Sequence, residues 1–165
     1  MERGISGIPA KVARRRLLGI ALAVLLAHGV SADGAGAAGQ GIGQAQPKLP
    51  TVELRVGGVP LIVEIASGGE QRYMGLSFRE SLDEGAGMLF VYPEERPLTF
   101  TMRNTLLPLS IAFIGEDLVV QEIIDMDVGP GQLFDSARPA RYALEVNQGW
   151  FERHGVEPGA PVTMP

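Results

Sequence analysis

Two stretches of strict two-residue alternation, separated only by Gly57-Gly58, do most to limit what this chain can fold into. Over 51–56, Val52, Leu54 and Val56 alternate with Thr51, Glu53 and Arg55. Over 59–66, Val59, Leu61, Val63 and Ile65 recur at every second position. Period two is the spacing of a strand with one buried face. A Gly-Gly pair accepts positive φ at both central positions, as a two-residue hairpin loop demands. A β-hairpin therefore opens the folded part of the chain.

The remainder reads as short strands between turns. Residues 67–78 lose the alternation, and 70–74 favour a short helix with Ser67 as N-cap and Gly75 at its end. The continuous apolar run 87–92 suits a strand buried on both faces. A charged turn is expected at 93–97 and strands at 98–102, 109–114, 118–126, 142–147 and 161–164. A second short helix is expected at 148–154. Gly85, Gly87, Gly129 and Gly131 read as turn residues. These elements predict a mainly β domain, a single compact sandwich or barrel-like fold of about seven to eight short strands with two short helices and no βαβ unit.

The first 32 residues read as a signal peptide. Arg14-Arg15-Arg16 precedes an apolar run of 14 residues, Leu17 to Val30, and small residues follow at Val30-Ser31-Ala32. The run is short for a bilayer-spanning helix, which needs about 20 apolar residues; an uncleaved N-terminal anchor is the alternative. The arginines also permit a twin-arginine route, ranked below ordinary secretion. Residues 33–50, rich in Gly, Ala and Gln, read as a flexible linker. The expected location is the periplasm or the exterior of a bacterium, with the membrane as partner only if the segment stays attached.

Charge follows the same division. From Asp33 onward nine basic residues face eighteen acidic ones, a net charge of −9. Phosphate backbones and anionic headgroups repel such a domain, so nucleic acid is a poor partner. With no cysteine in the chain, disulfides, thiol catalysis and thiolate metal sites are excluded.

Five segments in order resemble the bacterial and archaeal domain of unknown function 192 family. They are Glu70-Gln71-Arg72-Tyr73-Met74-Gly75-Leu76-Ser77-Phe78-Arg79, Gly87-Met88-Leu89-Phe90-Val91, Phe100-Thr101-Met102-Arg103-Asn104-Thr105, Pro108-Leu109-Ser110-Ile111-Ala112-Phe113-Ile114 and Leu144-Glu145-Val146-Asn147-Gln148-Gly149. The resemblance covers about 51–164. It implies a compact β-sandwich-like fold and frequent export, and no established activity. The chain departs from the family pattern at Thr101 (usually Trp), Arg103 (Lys), Ser110 (Asp) and Ser77 (Met). The missing acid at 110 bears on any acid-dependent catalysis there.

The candidate ligand-binding residues are Arg79, Met102, Arg103, Asn104, Thr105, Glu145 and Asn147. Met102 to Thr105 sets a cation, an amide and a hydroxyl side by side, a group suited to a carboxylate, a phosphate or sugar hydroxyls. The plainer reading is a turn whose Asn and Thr bond the backbone. Arg79 is either a second cation in the same cleft or half of a loop-organising ion pair. Glu145 and Asn147 share one strand face, opposite Leu144 and Val146. That face lines a cleft, with Glu145 as base or arginine partner, or it is simply solvated.

Other features carry less. Asp125 and Asp127 have the close spacing of a calcium ligand pair without the surrounding loop. His154 stands alone after cleavage, short of a zinc set or a serine triad. Gly68-Gly69 lacks the spacing of a phosphate loop, so no cofactor is implied. Trp150 and Phe151 read as a hydrophobic lid or, alternatively, a sugar platform. The first functional reading is a cell-envelope binding or accessory module for a small polar or anionic ligand, or for an envelope protein. The second is a carbohydrate-acting hydrolase or lyase with Glu145 as general acid/base, which would need a second carboxylate.

Overall fold

The computed structural model describes residues 43–129 and 131–164. The expected signal peptide and most of the expected linker lie outside these residues. Strands β1 (Thr51–Val56) and β2 (Val59–Ala66) form the predicted hairpin, with Gly57 and Gly58 at φ 58° and 87°. Helix α1 (Gly69–Met74) follows, then β3 (Ala86–Arg96), β4 (Thr99–Thr101), β5 (Leu109–Ile114) and β6 (Val120–Met126). The chain ends with β7 (Leu133–Asp135), β8 (Ala140–Asn147), α2 (Trp150–Arg153) and β9 (Val162–Thr163). Seven strands make one sheet in the order β6-β5-β8-β3-β2-β1-β9, and β4 pairs with β7 in a separate ribbon. The sheet curls: a bridge from Val119 to Pro161 brings its two edge strands together, as a half-barrel requires. Among the described residues no helix is long and apolar enough to cross a membrane.

Four local expectations need correction. First, β2 and β3 are parallel neighbours joined through α1, so a β-α-β crossover is present. A six-residue helix is too short to display the periodicity that would reveal it. Second, β3 runs on through the expected turn at 93–97. Its pairing with β8 lapses between Val91 and Arg96, which is where Pro93, lacking an N–H, can sit. Third, α1 is capped at Gly68 rather than Ser67: the Gln71 side-chain oxygen accepts from the N–H groups of Ser67 (3.1 Å) and Gly68 (2.8 Å). Fourth, Gly87 belongs to the strand expected over 87–92 and not to a turn; a Cβ on it would stand 2.6 Å from the carbonyl oxygen of Glu145.

The end of the expected linker also touches the domain. The Gln46 amide donates to the carbonyls of Gln71 and Gly75, and the Leu49 N–H donates to Glu64.

Both faces of the central strands are buried. On one face Leu54, Val63, Leu89, Ile114, Leu144 and Val146 pack with Trp150 and Phe151. On the other, Met88, Phe90, Ile111, Phe113 and Ala143 pack beneath Leu98, Phe100 and Met102. Phe100 meets Phe90 edge-on at 4.9 Å and Phe113 at 5.9 Å. Glu145 points to this second face, because its strand neighbours Leu144 and Val146 take the first.

Candidate functional site

A cavity of about 170 Å³ opens where α1, the β4 edge and the 102–105 turn meet the second face of the sheet. Helix α1 and its exit supply Arg72, Tyr73 and Ser77, β3 supplies Phe90 and Tyr92, and β4 supplies Thr99, Phe100 and Thr101. Arg103 and Thr105 come from the turn and Glu145 from β8. Burial is graded across these residues. Tyr73 is 69% exposed, and Arg103, Thr99 and Thr101 are also exposed, whereas Thr105, Phe100 and Phe90 are buried and Glu145 retains 5% exposure.

The walls are held together by the backbone. The Phe78 N–H donates to the Asn104 carbonyl at 2.8 Å, and the Ser77 hydroxyl contacts the Arg103 carbonyl at 3.4 Å. Both Phe78 and Asn104 have φ of 61°. Asn tolerates that region, whereas a bulky residue there costs about 1–3 kcal/mol. The hydrogen bonds that hold both residues in this conformation tie the exit of α1 to the turn, and with it the spacing of Arg72, Tyr73 and Arg103.

Each arginine is seated on a tyrosine. The Arg72 guanidinium lies 4.8 Å from the Tyr92 ring centre and donates to the Val91 carbonyl at 2.9 Å. The Arg103 guanidinium lies 5.1 Å from the Tyr73 ring centre and donates to the Tyr73 hydroxyl. Neither makes an ion pair among the described residues.

Among the described residues, Glu145 is the one carboxylate lining the cavity. Burial alone pushes its carboxyl up to about 8, with neither a cation nor a hydrogen-bond donor offsetting the rise. The Tyr92 hydroxyl is raised as well, chiefly by burial, with Arg72 and Arg96 opposing and Glu145 adding. At neutral pH the cavity thus presents two permanent cations and a mostly protonated acid.

The predicted site residues divide. Arg103, Thr105 and Glu145 meet in the cavity. Met102 is packed in the second core, and the Asn104 carbonyl accepts from the Phe78 N–H. Arg79 pairs with Glu64 at 3.0 Å, both side chains largely buried, beside a separate hollow near Lys48. Its partner lies on β2 rather than among the nearby acids. Asn147 donates to the carbonyls of Leu82 and Asp83, tying down a loop.

Sequence reasoning missed Arg72, Tyr73 and Tyr92. Tyr92 stands two residues from Phe90 in one strand, which is a usable signal. The approach of α1 is long-range and left none.

Ser110, where the family usually has Asp, faces away from this cavity. It is wholly buried, donates to Asp125 and accepts from the Gly149 N–H at 2.8 Å. Its pairing with Val146 rather than Glu145 sets it on the opposite face, so the departure at 110 leaves the Glu145 cavity untouched. Asp127 accepts from Gln148 at 2.9 Å. The His154 ring stacks on Trp150, and Trp150 and Phe151 are core residues.

The family described as Uncharacterized ACR, DUF192, matches residues 52–164. The chain belongs to that family. Two solved structures share its fold. One is a candidate transcription regulator from Sinorhizobium meliloti 1021, 33% identical, with a TM-score of 0.69 over 72% of this chain and 97% of that one. The other is a protein of unknown function from Novosphingobium aromaticivorans DSM 12444, 30% identical, with a TM-score of 0.67 over 80% of this chain and 99% of that one. No curated protein matches.

Proposed function

We propose that this is an exported cell-envelope module that binds a small polar or anionic ligand in the Glu145 cavity. The observation that carries the reading is the convergence of Arg72 and Arg103, without acidic partners among the described residues, on one small cavity with a buried acid. Arginine offers a planar fork of donors matched to a carboxylate. Against a net charge of −9 for the segment after the export signal, such local cations are needed to retain an anion. The N-terminal charge and hydropathy pattern supports export.

The carbohydrate-hydrolase alternative has less support. Acid/base glycoside cleavage uses two carboxyl groups, and among the described residues this cavity is lined by one. The description of the Sinorhizobium protein is not carried over, because the acidic balance opposes a phosphate backbone.

Arg103→Ala is expected to abolish ligand-dependent thermal stabilisation while leaving the unliganded melting temperature nearly unchanged, since Arg103 is exposed. A thermal-shift screen of sugars and organic acids tests this. A bound ligand at a hundredfold excess over its Kd stabilises by about 2.7 kcal/mol. An Arg103→Ala protein that keeps this stabilisation contradicts the reading.

A further inference from the structure

We propose that the ligand is a small zwitterion, with its ammonium group on the Glu145 carboxylate and its own carboxylate on Arg103 and Arg72. This rests on the reading of the cavity as the binding site, and it names the ligand class.

The signs of the lining groups are segregated. The acid lies at the buried end, while Arg103 lies at the exposed end with Arg72 half-buried. A purely anionic ligand finds its partners at the two guanidiniums and leaves the buried acid without a charged partner as pH approaches 8. A purely cationic ligand would have to pass two guanidiniums. A zwitterion satisfies both ends.

The rings fit the same assignment. Tyr73 and Tyr92 already carry the arginines, whereas Phe90 and Phe100 line the cavity with no cation over them among the described residues. Aromatic faces favour an alkylammonium group.

Size limits the ligand further. An apolar cavity of roughly 150 Å³ holds benzene, so about 170 Å³ admits the smallest amino acids and their N-methylated relatives.

The protonation of Glu145 supplies a signature. The other titratable groups lining the cavity are Arg72, Tyr73, Tyr92 and Arg103, and Arg96 acts on Tyr92. The arginines remain charged throughout the working range. An incoming ammonium group stabilises the Glu145 carboxylate and so expels its proton below pH 8.

The test is calorimetric titration of the purified protein with matched ligands between about pH 6.5 and 8.5, a range that brackets the Glu145 midpoint. Glycine, alanine and proline are each compared with the acid lacking the nitrogen and with the amine lacking the carboxylate. At least one zwitterion should bind about tenfold or more tighter than both counterparts. Its binding should release protons, read from the dependence of the heat on buffer, and tighten as pH rises toward 8. Glu145→Gln should erase the preference over the matched acid, while Arg103→Ala should weaken zwitterion and acid alike.

Acids that bind as tightly as zwitterions, and more weakly above pH 8, overturn the zwitterion assignment and leave the cavity as an anion site. Binding unaffected by Arg103→Ala, or no binding by any member of the panel, overturns both. The comparison of matched ligands on the unmodified protein decides even if a variant fails to fold.

Discussion

Glu145→Gln will flatten the dependence of stability on pH and leave the variant more stable than the parent protein above pH 8. The carboxyl titrates at about 8 in the fold against 4.5 in a free chain. Between those values the folded state holds a proton that the unfolded state releases. That contribution is full below about pH 4.5 and is lost as pH rises through 8. At about 1.4 kcal/mol for each tenfold change in proton affinity, the loss is on the order of 5 kcal/mol. Glutamine matches the neutral acid in shape and cannot ionise, so the variant escapes the loss. Urea denaturation at about pH 5, 7 and 9 measures it. Parallel curves for the two proteins would show that Glu145 is solvated and titrates normally.

Gly87→Ala should destabilise the protein by about 3 kcal/mol, an overpacking cost at a site that cannot relax. The new Cβ would stand 2.6 Å from the Glu145 carbonyl oxygen and 3.0 Å from the Val146 side chain. The obstructing atom is backbone, and β3 is itself fixed between β2 and β8. Relief requires β3 and β8 to part at Glu145, which also opens the bottom of the cavity. Gly85→Ala is the matched control: Gly85 faces open space at an ordinary φ, so its replacement should change stability by less than about 0.5 kcal/mol. Equal effects of the two substitutions on the urea midpoint would contradict the close approach.

The parts of the fold legible in the sequence are those set by near neighbours. The hairpin at Gly57-Gly58 is written in alternation and turn chemistry, both confined to 16 consecutive residues. The buried run in β3 is visible for the same reason. The parallel pairing of β2 with β3 is not, because it joins segments 24 residues apart (Ile62 with Ala86) through a helix of six. β7 escaped because three residues between turns carry no period.

The site divides along the same line. Alternation in β8 correctly separated Glu145 from Leu144 and Val146. It could not say what covers Glu145. The cover consists of α1, β4 and the 102–105 turn, each arriving from elsewhere in the chain. Arg79 shows the same limit from the other side. Of its two readings, cleft cation or half of an ion pair, the structure has the ion pair, but with Glu64 on β2, a partner too distant in sequence to be named.

Whether the Glu145 cavity is where this domain meets its ligand is tested most directly by nuclear magnetic resonance. The isotopically labelled protein is titrated with the zwitterion and acid panel. The predicted result is that ligand-induced changes centre on Tyr73, Arg103 and Thr105, with the Glu145 carboxyl resonance changing its titration midpoint from about 8. Changes centred instead on Lys48 and Arg79, with Glu145 titrating as before, would place the ligand in the other hollow and contradict the assignment of the cavity.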